Sequence, residues 1–164
     1  MRDLARPGRG RPSGARRRRP ADAGERYTAQ QGGGAACNGS NLRISTSHRL
    51  GEAIVAVGDF ATGSDASSQN PDQLRIVSVL AERASRVRML GSAAIDLAWL
   101  AAGRQHASVT LCNRPWDMAA GVVIAIEAGA WVGDLGGASY SLGSDSVIAA
   151  APGLAPELLA AIRA

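Results

Sequence analysis

The sequence predicts a layered α/β fold, and three observations carry that prediction. Short apolar runs of strand length alternate with longer stretches of helical periodicity through the C-terminal two thirds of the chain. These runs are bounded by Gly, Pro, Asn and Ser, the residues of turns. Aromatic residues make up 4% of the 164 residues while 46% are hydrophobic, so the expected core is Ala, Val, Leu and Ile at close backbone distances. A chain of this length has enough surface to bury for one such domain.

Residues 1–19, within "MRDLARPGRGRPSGARRRRP", hold eight of the eighteen arginines against a single acid, Asp3. The remainder carries ten Arg against thirteen acids, so the formal charge of +4 belongs to the tail. Rich in Pro, Gly and Arg, this segment cannot bury enough apolar surface to offset its ordering entropy and is expected to be disordered, ahead of one folded region over 20–164. "ARRRRP" can bind phosphate polymers non-specifically. No aromatic interleaving or recognition motif accompanies it, and no specific nucleic-acid partner is expected. The arginines lack the apolar segment of a secretory signal, and no run of eighteen apolar residues occurs, so no membrane partner and a cytoplasmic setting are expected. Cys37 and Cys112 lie far apart and lack metal-type spacing to His48 or His106, which predicts reduced thiols.

"GERYTAQQGGGAACNGSNLRIS" predicts two extended arms around a glycine-rich turn, with Tyr27 and Thr28 on the first and Leu42 and Ile44 on the second; Asn38-Gly39 is a tight-turn signal. "EAIVAVGDF" predicts a buried strand at 53–57, and 61–70 is a loop by composition. Pro71 opens an amphipathic helix with Leu74, Val77, Leu80, Ala81 and Ala84 on its apolar face. "RVRML" predicts a strand, and "SAAIDLAWLAAG" a helix capped by Ser92 and stopped at Gly103. "HASVTL", "AWVGDL" and "SVIAAAP" predict strands, and "APELLAAIRA" a last helix.

Between them, "NRPWDMAAG" opens a helix from Pro115 to Gly129 that is apolar nearly all round and is expected to be buried between layers. Its N-terminus favours negative charge, so Asp117 in the first turn reads either as a helix-start acid after an N1 proline or as a ligand held at a buried edge. Asp96 reads as an acid supporting the site from behind or, preferred, as a charge on the surface of its helix, and Glu127 and Asp134 as structural or exposed acids.

"GSAAIDLAWLAAGR", "PWDMAAGVVIAIEAGA", "VGDLGG" and "VIAAAPGL", in that order and at these distances, resemble the C-terminal half of the inositol monophosphatase family. The segment "GERYTAQQGGGAACNG" is similar to the end of that family's first half, so the resemblance covers residues 22–164. It implies an α/β/α/β/α sandwich, here a partial, C-terminal portion. It further implies a Mg²⁺-dependent phosphomonoesterase, usually homodimeric, acting on a small phosphorylated metabolite. The acid of the Trp-Asp motif, a metal ligand in that family, falls on Asp117. Carboxylate oxygen suits Mg²⁺, a hard cation that takes few protein carboxylates plus substrate phosphate. In the family, two or three such ions activate a water and neutralise charge on phosphate and leaving alkoxide. Gly91, Ser92 and Ala93 fall at the family's substrate-side helix start, where N–H groups and the Ser92 hydroxyl can meet ligand oxygens; Ser92 reads equally as a plain helix cap.

Two departures stand out. The family's metal-binding Glu and its Asp-Pro-(Ile/Leu)-Asp-Gly-Thr motif have no match here, and one carboxylate cannot build a metal cage. An inactive fragment serving at most as an interaction module is therefore the alternative expectation. Seven positions before the motif Asp, inositol-cleaving members often carry an acid that bonds a substrate hydroxyl; here it is Thr110, a weaker partner. That leaves sugar, nucleotide and amino-alcohol phosphates open beside inositol phosphate.

Overall fold

The computed structural model describes residues 24–46, 49–112 and 114–164; the arginine-rich tail, His48 and Asn113 lie outside these. Strands Tyr27–Gln30 (β1), Gly34–Cys37 (β2) and Ser40–Asn41 (β3) form an antiparallel meander. The expected second arm is displaced: the glycine-rich turn leads into "GAAC", and Leu42 and Ile44 lie beyond β3. Asn38-Gly39 explains this. Both residues have positive φ, 51° and 83°, and close a two-residue connection between Cys37 and Ser40, the left-handed pair that matches strand twist.

Ile54–Val57 (β4), Arg86–Arg88 (β5), Ala107–Thr110 (β6), Trp131–Gly133 (β7) and Val147–Ala150 (β8) form a second sheet in the order β5-β4-β6-β8-β7. β4 runs parallel to both β5 and β6, and β8 antiparallel to β6 and β7. Alternation divides the sheet's faces. Val55, Val57, Ala107, Val109, Ile148 and Ala150 point into one core, which helices Ala66–Arg83 (α1) and Ala155–Arg163 (α4) close with Ile76, Leu80, Leu158 and Ile162. Val147 and Ala149 point the other way, toward Leu97 and Leu100 of Ala93–Ala101 (α2) and Met118 and Val122 of Pro115–Glu127 (α3). Each fully buried Leu, Ile or Val contributes about 1.5–3 kcal/mol.

The meander lies on the outer side of α2 and α3, where Ala35, Ala101 and Ala128 make a third core. Small residues there let backbone approach backbone. Two polar ties hold the meander down: Glu127 accepts the N–H of Gly32 and of Gly34, each at 2.9 Å, and Arg104 pairs with Glu25. The order is thus α/β/α/β, four layers among the described residues. α2 and α3 touch closely, since a Cβ on Gly121 would lie 2.8 Å from Leu97 Cδ1.

Three expectations are corrected. α1 begins at Ala66, after a 3₁₀ turn at Gly63–Asp65, not at Pro71. Asn70 accounts for it by clasping Ala61 from both sides: Oδ1 accepts Ala61 N–H at 2.8 Å and Nδ2 donates to Ala61 O at 3.1 Å. That outweighs the bias of a pre-proline residue against helix. The buried face of α1 is also turned, with Gln73, Ile76 and Leu80 inside while Leu74 is exposed. α3 is not buried all round: it packs on α2, the meander and the second sheet, while part of its surface is exposed. Trp116 is 81% exposed, and Val123 and Ile126 are also exposed.

Candidate active site

The parallel strands β4, β5 and β6 deliver the chain to one edge of the sheet, and the crevice beyond the carboxyl ends of such strands is where open α/β sheets bind ligands. After β4 come Gly58 and Asp59. After β5, Gly91 and Ser92 lead into α2. β6 ends at Thr110, and α3 starts from Pro115. Between these segments lies a cleft of about 610 Å³.

Gly91, Ser92, Ala93, Thr110 and Asp117 all line that cleft. Thr110 is nearly buried, and a Cβ on Gly58 would stand 3.2 Å from its Cγ2. Gly58 is held by its N–H to Val109 O at 2.9 Å and by Gln73 Nε2, which donates to its carbonyl. Ser92 has the extended backbone of an N-cap (φ −156°, ψ 109°), but contrary to expectation its side chain makes no capping bond. The first N–H groups of α2 are thus left without a side-chain acceptor at the cleft. At the start of α3, Asp117 donates its backbone N–H to Arg114 O at 2.8 Å. Its side chain is not used as a cap for the helix, and the residue is exposed on the cleft.

Asp96 corrects a further expectation. It is 1% exposed, not a surface charge. Burial pushes its carboxyl up to about 7, with repulsion from Asp59 adding to the effect. Its Oδ1 is buried without a hydrogen-bond partner. Both Asp59 and Asp96 line the cleft; in the sequence Asp59 does not stand out, and a supporting role for Asp96 ranks below a surface charge. The signal was present: Asp96 is the single charge in a helix otherwise apolar on every side, and Asp59 follows directly on a buried parallel strand. Glu127 and Asp134 have structural roles, Asp134 Oδ1 accepting Ala138 N–H at 2.9 Å. Cys37 and Cys112 are free thiols.

The profile of the inositol monophosphatase family matches residues 10–164. The chain belongs to the inositol monophosphatase family. It is 34% identical over 140 residues to the inositol-1-monophosphatase ImpA of Mycolicibacterium smegmatis, covering 85% of this chain and 51% of that protein. It is 38% identical over 141 residues to Nus factor SuhB of Escherichia coli, again 85% and 51%. The structure of inositol monophosphatase from Anabaena superposes with a TM-score of 0.79 at 27% identity, over 85% of this chain and 55% of that one. The chain spans about half the length of the curated relatives it matches.

Family membership implies a metal, and the described residues meet that requirement only in kind. Asp117 offers a hard oxygen on an open cleft, yet among the described residues no group of three or more His, Cys, Asp or Glu is arranged to hold a metal ion. Taken alone, the described residues do not form the family's metal cage.

Proposed function

We propose that this chain forms the substrate-side half of a Mg²⁺-dependent phosphomonoesterase that hydrolyses a small sugar-, inositol- or nucleotide-type phosphate. Asp117 is one metal ligand, the remaining ligands come from outside residues 24–164, and Gly91, Ser92, Ala93 and Thr110 face the substrate. A cytoplasmic homodimer completes the proposal; no helix among the described residues is long and apolar enough to cross a membrane.

The observation that carries it is the convergence of an uncapped helix start, a strand-end hydroxyl and an exposed helix-start carboxylate on one cleft. Backbone N–H groups at the start of α2 suit phosphate or hydroxyl oxygens. Thr110 both donates and accepts, which fits a polyol. In the family protein that carries this sequence, Asp117→Asn should cut Mg²⁺-dependent turnover of inositol 1-phosphate at least about 100-fold. Unchanged turnover at saturating Mg²⁺ would remove Asp117 from the site.

A second reading is favoured by the missing third ligand: residues 1–164 by themselves are an inactive fragment, serving at most as an interaction module. Relatives from Vibrio cholerae, Escherichia coli and Salmonella typhimurium are named as Nus factors rather than as phosphatases. Purified 1–164 then shows no Mg²⁺-stimulated hydrolysis of a generic phosphate ester. Turnover that a chelator abolishes rejects this reading.

A further inference from the structure

The floor of the cleft holds two acids that the role given to Asp117 leaves unused. Asp96 lies early in α2 with its Oδ1 buried and unpartnered. Native proteins leave few buried polar atoms in that state, and a bound ion or water is a standard reason for one. Asp59 reaches the same floor from the loop after β4. Its Oδ2 lies 3.2 Å from where a Cβ would stand on Gly91, so the bare Gly91, at φ +76°, is what gives the Asp59 carboxylate its room.

Three kinds of occupant can be compared. A water or a ligand hydroxyl is no smaller than the sphere to which Oδ1 is closed, and would in any case leave two carboxylates repelling each other. A cation answers both needs at once. An ammonium group is about as large as water, and Oδ1 is closed to a water-sized sphere. A compact metal ion remains, bound on its buried side by Asp96 and on its open side by Asp59 and by water from the cleft.

We propose that Asp59 and Asp96 together hold a small, hard divalent cation at the cleft floor, in a site separate from Asp117. With two carboxylates and the rest water, its affinity falls on the order of 10⁻³ M, the weak end of oxygen-ligand sites.

Paramagnetic broadening by Mn²⁺ in NMR spectra of the full 164-residue chain tests this, with Mg²⁺ as competitor. The expected result is broadening centred on the amides of Asp59, Gly91 and Asp96 at millimolar Mn²⁺, reversed by excess Mg²⁺. It should persist in Asp117→Asn and disappear in Asp59→Asn, an exposed substitution that leaves the core alone. Asp96→Asn gives a second check, since an amide replaces the buried carboxyl at equal volume. Broadening confined to residues 115–118 and lost in Asp117→Asn overturns the proposal. So does broadening that survives Asp59→Asn, or none up to about 10 mM. The test is independent of catalysis: a failed Asp117 assignment leaves this pattern intact, and the reverse holds as well.

Discussion

Asp96→Asn should stabilise the fold, and only above mildly acidic pH. A carboxyl held at about 7 in the folded chain against an ordinary 3.8 binds its proton more tightly folded than unfolded. Below about pH 3 both states carry the proton and Asp96 imposes no penalty. As pH rises from about 4 to 7 the unfolded chain ionises first, and folded stability falls by about 1.4 kcal/mol per pH unit. Above about 7 the penalty is constant at roughly 4 kcal/mol, a large share of a typical stability of about 5–15 kcal/mol. Asparagine has the shape of the protonated acid and cannot ionise. Urea unfolding of both proteins at pH 4.5 and pH 8 reads the difference, with a chelator present so that no divalent cation neutralises the pair. The variant should be more stable by only about 1 kcal/mol at pH 4.5, and by up to roughly 4 kcal/mol at pH 8. An equal difference at both pH values, or a variant less stable at pH 8, would refute the view that Asp96 is a buried, unpartnered carboxyl.

Other expectations concern how the layers are held. Glu127→Ala removes the acceptor of two charge-assisted bonds and should loosen the meander by about 1–3 kcal/mol, read as hydrogen exchange at Gly32 and Gly34 faster by roughly 10- to 100-fold; unchanged exchange would show that apolar contact alone docks it. Gly121→Val drives a branched side chain into Leu97 and should cost about 1–3 kcal/mol, lowering Tm by several degrees; an unaltered Tm would mean α2 and α3 stand farther apart. Asn70→Ala breaks both bonds to Ala61 and should move the start of α1 back toward Pro71, opening residues 61–70 to limited proteolysis. Resistance equal to that of the parent chain would count against the clasp.

Much of the sheet and of the helix order was legible because period and punctuation agree there. "HASVTL" alternates, and β6 points Ala107 and Val109 to one core and Ser108 and Thr110 away from it. Pro115 and Gly129 bracket α3 as read. Misreadings arose where a distant side chain decides a local matter. The start of α1 depends on Asn70 finding Ala61, and the outer face of α3 on which layers lie beside it, neither of which periodicity encodes. At the candidate site, Gly91, Ser92, Ala93, Thr110 and Asp117 came from motif resemblance, and the structure brings them to one cleft. Asp59 does not stand out, and Asp96 reads as a helix-surface charge rather than in a supporting role, because a lone acid in a sequence reads as solvated, and only the folded packing shows otherwise.

Glu127 also sets an order on biosynthesis. The glycine-rich turn between β1 and β2 leaves the ribosome first, but the carboxylate that receives its N–H groups follows 93 to 95 residues later. At about 5–20 residues per second, roughly 5–20 s pass before the two can meet. Until then the meander can close its own strand pairing but has nowhere to dock, and the apolar side of Ala35 faces solvent. For those seconds the nascent chain exposes an unfinished sheet with free edges, the period in which a chaperone or a neighbouring nascent copy has most opportunity to engage it.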